Sequence, residues 1–272
     1  MLVPDAPTVP PIASALWHGS GGDGPQVGDR WVCVATPVHL TAGMSRVTLA
    51  GDGVLTLTPS EAQALAADFN QVFAGAESRL VVARAAVLLC VLPPSQDIAT
   101  HEPACVAGHD VFAFQPSGPD APRLRRLMSE MEMWLFDHAV NRERAAAARP
   151  TVTGLWLWGG GSTSDAPPAV RGWTAGQDPL FAAFGDEPEL PGGTESGVVV
   201  CSAPPGSSDW PEVERRWLAP AAAALDAGRI ERLELSAAGH RVSVAGGPNF
   251  RFWRRPRPWW EAFELSEQNG IQ

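Results

Sequence analysis

The chain has 272 residues and a formal net charge of −10, from 20 basic and 30 acidic side chains, and all 20 bases are arginine. Without lysine there is no P-loop of the usual Gly-Lys-Ser/Thr form and no Schiff-base or lysine-anchored pyridoxal chemistry; without tyrosine there is no tyrosine nucleophile. The acidic balance makes duplex DNA an unsuitable partner, because that affinity comes from Lys and Arg neutralising phosphate, whereas 45% hydrophobic against 18% charged residues fits a folded globule.

No stretch approaches the ~18 consecutive apolar residues of a membrane helix, so no membrane partner is expected. The longest apolar run, residues 81–92, is interrupted by Arg84. The first residues show neither a basic leader nor a continuous apolar core, which predicts a cytoplasmic protein. Cys33, Cys90, Cys105 and Cys201 form no C-x-x-C pair, so they read as reduced, mostly buried thiols rather than a zinc ribbon.

In chain order, residues 1–29 hold five prolines and a glycine-rich run and are expected to form a loose arm, with Trp17 as a docking point. Residues 31–36 read as the first strand, with 46–49 and 54–56 beside it. Thr58, Pro59 and Glu61 mark a helix start with a capping box, and Ala62, Leu65, Ala66, Phe69, Val72 and Phe73 follow at helical spacing up to Gly75. Residues 80–92 read as one buried strand and 111–114 as another. Asp120 is placed to cap a long helix with Leu124, Leu127, Met128, Met131 and Leu135 as its core stripe, fading before Pro150. A strand over 153–158 then opens into a Gly159-Gly160-Gly161 turn. A short helix is expected over 178–184, a buried strand over 198–201, a helix over 212–227, and a hairpin from 230–235 and 241–244. Strands alternating with helices predict an α/β protein, or α+β as the alternative, with a mixed sheet and helices on both faces. The expected division is an arm over 1–29, an α+β part over 30–150 and an α/β part over 151–272.

Three clusters could carry chemistry. On one continuous helix Trp134, His138 and Asn141 share a face, with Arg144 just beyond; together they offer an imidazole, an amide and a guanidinium to a small anionic ligand. The alternative is that Asn141 and Arg144 cap backbone or pair with a neighbouring acid. Trp158 followed by Gly159, Gly160 and Gly161 could bring backbone N–H groups close to a phosphate; the alternative is a plain turn at a strand end. The third cluster is the segment from Phe250 to Trp260, where Arg251, Trp253, Arg254, Arg255 and Arg257 combine stacking surfaces with anion clamps suited to a protein or nucleic-acid partner. Here the alternative is a strand that buries its tryptophans and pairs its arginines with the acidic body. His101-Glu102, His109-Asp110 and Asp137-His138 lack the spacing that gathers ligands on one face, so no metal site is expected. No catalytic residue and no cofactor emerges from these patterns.

Glu130, Met133, the run from Asp137 to Arg144, Pro150 and the run from Trp156 to Gly161 together resemble a bacterial family labelled phosphoglycerate mutase-like or RpfE-type regulatory proteins. That family is distantly similar to the archaeal-type cofactor-independent phosphoglycerate mutases. Pro37-Val38-His39-Leu40 and Trp253-Arg254-Arg255 extend the likeness. It implies an alkaline-phosphatase-like remnant in which residues 30–150 correspond to a mutase cap region. Two departures stand out: Thr36 and Thr151-Val152-Thr153 replace the family's Asp and Pro-Val-Asn. The Asp-x-x-Gly-His pattern that the resemblance implies for a two-metal centre does not occur, since neither Gly108-His109 nor Gly239-His240 has an Asp three residues before the glycine. The resemblance therefore implies a regulatory or binding protein without phosphoryl-transfer machinery, with a small-molecule phosphomutase or phosphatase as the alternative.

Overall fold

The computed structural model describes residues 12–19, 29–83, 86–94, 98–165, 172–176, 178, 180–181, 196–201, 210–237 and 240–246. Its centre is β1 (Trp31–Ala42), a twelve-residue strand whose first five side chains are all buried. Both edges of β1 are occupied. On one side it pairs with β5 (Gly154–Ser162) along residues 31–38. On the other, residues 31–34 pair with β4 (Leu88–Leu92) and residues 38–42 with β2 (Val47–Val54). Pro37, which has no N–H to donate, stands at the changeover between β4 and β2, and its carbonyl accepts from Leu55 at 2.9 Å.

The apolar run expected as one strand over 80–92 is two. β3 (Arg79–Val82) and β4 pair antiparallel, and the Ala83 N–H closes the turn on the Val87 carbonyl at 2.7 Å. The two arms read as one run because both are apolar in sequence and Arg84 alone interrupts them. β3 is a sheet edge, and Asn70 blunts it: its amide accepts from the Leu80 N–H and donates to the Leu80 carbonyl, both at 2.9 Å.

Helices cover this sheet. α2 (Pro59–Val72) starts with the expected Thr58–Glu61 capping box and packs on β3. α4 (Ala121–Phe136) buries the expected stripe of Leu124, Leu127, Met128, Met131 and Leu135 and packs on β5. Asp120 makes no side-chain cap there. Within the segment expected to be a loose arm, α1 (Ile12–Gly19) is a helix that packs on β1 and β5 and buries Trp17. Its Ile12, Ala13, Leu16 and Trp17 join the main core, which a sparse apolar pattern between prolines does not disclose. Between β4 and α4 the short helix α3 (Pro103–Val106) packs on β2, and residues 111–114 are a 3-10 turn rather than a strand, capped by Asp110 through the Phe112 N–H.

β5 carries the expected strand over 153–158 and runs on through the glycines to Ser162. Among the described residues it pairs with β1 alone, so it flanks the central strand. Its faces are nonetheless both buried, with Leu155 and Leu157 on one and Trp156 and Trp158 on the other. Since β5 follows the boundary expected at 150/151, the sheet spans that boundary. Of the later elements, β6 (Trp173–Gly176) and β7 (Gly197–Val200) pair in parallel, and Val198 on β7 is half exposed where a buried strand was expected. The helix expected over 212–227 is present as α6 (Trp210–Val213), a π-helical segment (Glu214–Leu218) and α7 (Ala219–Asp226), followed by the hairpin β8 (Arg232–Ala237) and β9 (His240–Ala245). The chain is thus an α/β protein with mixed pairing: its five-stranded sheet is antiparallel throughout, and its parallel pair lies outside that sheet.

Candidate functional site

The single helix expected to carry Trp134, His138 and Asn141 on one face is interrupted. α4 ends at Phe136, and His138 takes an extended conformation as the N-cap of α5 (Ala139–Ala146). The cap is made by the ring itself: His138 Nδ1 accepts from the Val140 N–H at 3.1 Å. Nδ1 is therefore the bare nitrogen, and Nε2 carries the proton that faces Asp68 Oδ2 at 3.3 Å. The Trp134 Nε1–H donates to the same Asp68 oxygen at 2.8 Å, and the Trp134 ring lies edge-on to the His138 ring. Burial holds the His138 pKa below its ordinary value, helped by the charge of Arg142, and outweighs the opposing pull of the Asp68 carboxylate.

Asn141 is buried and works as a backbone substitute. Its amide donates to the Leu135 and Val152 carbonyls and accepts from the Val152 N–H, each at 2.7 Å. One side chain thus ties the end of α4 to the chain entering β5. Arg144 reaches the other way. Its Nε donates to the Pro150 carbonyl at 2.7 Å, and its terminal nitrogen lies 3.1 Å from Glu61 Oε1. Arg149 approaches the same carboxylate oxygen at 2.9 Å from the more exposed side. Glu61 Oε2 keeps the capping-box bond from the Thr58 N–H at 2.8 Å. Burial pushes the Glu61 carboxyl up, but the Thr58 hydrogen bond and the charges of Arg144 and Arg149 outweigh it and hold the pKa below the usual value.

The glycine run is strand, not turn. Val32 faces Gly161 while Val34 faces Trp158, so β5 has one residue more than β1 between those pairs. The surplus is a bulge at Gly159, whose φ of 61° suits the left-handed position of a glycine bulge. Gly160 is required for packing: a Cβ there would lie 1.9 Å from the Trp31 indole. The Gly159 N–H donates to Thr100 Oγ1 at 3.1 Å, and the Trp158 Nε1–H donates to Thr36 Oγ1 at 2.8 Å. Trp156 Nε1 is bound likewise, to the His101 carbonyl at 2.7 Å.

The structure brings His138, Asn141 and Arg144 together along α5, but directs each into a different internal contact. Trp158 to Gly161 lie on the sheet, engaged with β1 and Thr100. Arg251, Trp253, Arg254, Arg255 and Arg257 lie outside the described residues. Sequence reasoning missed Asp68 and the role of Glu61 as the counter-ion of Arg144; the capping box identified Glu61 as a helix-start residue, but one sequence carries no signal for a contact 83 residues away. Glu102, set aside above as a metal ligand, has its carboxyl pushed up by burial and by the nearby charge of Asp178. Asp178 caps a turn through the Leu180 and Phe181 N–H groups, at the start of the segment expected to be a helix. A cavity of about 250 Å3 opens beside α4, lined by Leu92, Ile98, Arg123, Leu127 and the ion pair Arg126–Glu130; His138, Asn141, Arg144 and Trp158 to Gly161 are not among its lining residues. Among the described residues no three His, Cys, Asp or Glu side chains gather as a metal site, and no helix is long and apolar enough to cross a membrane.

No protein-family model matches the chain, and no curated protein matches it. Among solved structures it is similar to a cofactor-independent phosphoglycerate mutase from Thermoplasma acidophilum DSM 1728, at 17% identity and a TM-score of 0.37, covering 87% of this chain and 70% of that one.

Proposed function

We propose that this protein is a non-catalytic binding or regulatory module, kin to the phosphoglycerate mutase-like regulatory proteins that its sequence resembles. The observation that supports this reading is the use made of His138, Asn141 and Arg144. Their imidazole, amide and guanidinium are bonded to Asp68 and the Val140 N–H, to Leu135 and Val152, and to Glu61 and Pro150. An anion recruiting Asn141 would have to break buried hydrogen bonds, and each buried group left unpaired costs about 1–3 kcal/mol. On this reading the three side chains and Gly159 to Gly161 are scaffold. Recognition falls to Arg251, Trp253, Arg254, Arg255 and Arg257, whose chemistry suits an acidic protein partner.

The test is turnover by the full chain, supplied with manganese, on 3-phosphoglycerate and on a generic phosphate monoester. No rate above the protein-free blank is expected, and turnover that a chelator abolishes would overturn the reading. Binding of an acidic peptide that survives R254A/R255A would remove the arginine segment from it.

A further inference from the structure

Cys33 and Cys90 stand directly opposite each other where β1 pairs with β4, and both are fully buried. Opposed residues of an antiparallel pair project from the same face, so the two thiols share one side of the sheet. The Cys33 thiol donates to the Cys90 carbonyl at 3.7 Å. The kind of pair follows from Asn70. Because the Leu80 N–H and C=O both bond Asn70, they point away from β4. Leu80 faces Cys90, so the backbone groups of Cys90 point the other way, towards β1. Cys33 and Cys90 are therefore a hydrogen-bonded pair, for which the Cα separation is about 5.5 Å, inside the roughly 4.4–6.8 Å that a disulfide spans.

We propose that Cys33 and Cys90 are a dithiol–disulfide couple whose oxidised form staples β1 to β4. The oxidant is a low-molecular-weight disulfide of the glutathione class. One cysteine thiolate attacks it, giving a mixed disulfide and one released thiol; the second cysteine thiolate then displaces the remaining half. In sum two thiol protons and two electrons leave the protein, one S–S bond forms in it, and the oxidant departs as two thiols.

The closed sheet restrains this exchange. Burial, and then the Cys90 thiol beside it, hold the Cys33 thiol well above its ordinary pKa, so little thiolate is present in the folded state. Reaction therefore proceeds through local opening of β4 from β1. Opposed Cβ atoms in such a ladder sit about 5 Å apart against roughly 3.8 Å in a disulfide, so the strands must draw together. A bond formed at that cost belongs to the readily reduced class rather than to the inert structural one.

The full chain is incubated in glutathione buffers from fully reduced to mainly disulfide, with and without sub-denaturing urea, then alkylated in denaturant and digested without reductant. The expected result is a Cys33–Cys90 linked peptide, lighter by two hydrogens, that forms faster in urea and disappears in reduced glutathione. Cys105, which is exposed, serves as the internal control for the oxidant. Recovery of Cys33 and Cys90 as free thiols or as separate glutathione adducts, in a sample whose Cys105 is glutathionylated, would overturn the proposal. So would a linked form that melts no higher than the reduced one, since a staple raises the melting temperature.

Discussion

Replacing Glu61 by glutamine isolates the charge at the centre of the α2–α5 junction. Glutamine keeps an oxygen for the Thr58 N–H, so the capping box survives, while the Arg144 guanidinium loses its counter-ion. The Arg144 and Glu61 side chains are only 5% and 7% exposed, so water does not take the carboxylate's place. Removing one partner of a buried pair costs about 3–5 kcal/mol. Arg144 keeps its bond to the Pro150 carbonyl, and Arg149 is 43% exposed and can turn to solvent, which places E61Q at the low end, about 3 kcal/mol. Arg144→Met in the same background removes the stranded charge, so the double variant should be more stable than E61Q alone. Urea unfolding followed by tryptophan fluorescence at neutral pH measures all three. The gap between parent and E61Q should narrow in acid: the folded carboxyl titrates below its unfolded value of 4.5, so its contribution is present above that pH and is lost as pH falls through the folded pKa. An E61Q variant within about 0.5 kcal/mol of the parent at neutral pH would refute the assignment of a buried, energetically coupled ion pair.

Gly160→Ala should destabilise by about 2–4 kcal/mol, because its methyl group must push the buried Trp31 indole out of place; a urea midpoint equal to the parent's would show that the ring does not rest on the glycine. His138→Asn should keep the start of α5, since asparagine is a good N-cap, but should flatten the pH dependence of stability. The folded pKa of His138 lies below its ordinary 6.5, so its contribution is fully present above that pH and declines as pH falls towards the folded value; a variant whose stability drops as steeply as the parent's between pH 7 and 5 would refute the neutral, capping imidazole.

Much of the fold is legible in local sequence patterns. The start of α2 can be read because Thr58, Pro59 and Glu61 act within one helical turn, and the α4 stripe because its period is that of the helix itself. The hairpin β8–β9 follows from two short runs with a turn between them. Expectations fail where the deciding contact is distant in sequence. Residues 80–92 look like one strand because both hairpin arms are apolar in sequence, without the alternation or turn residues that would mark the reversal. The α4–α5 break is decided by His138 reaching Asp68, 70 residues earlier, and by Asn141 gripping Val152. The glycine run looks like a phosphate loop, yet Trp31 lies on Gly160 and makes it part of the sheet. By itself the sequence determined the absence of lysine and tyrosine chemistry, the acidic charge and the Thr58–Glu61 capping box, because composition and near-neighbour spacing are properties of the chain alone. Only the tertiary structure decided which polar groups face one another: a buried charge or amide selects its partner by position in space, and the pairing of β1 with β4 and β5 brings together residues that lie 55 to 131 positions apart.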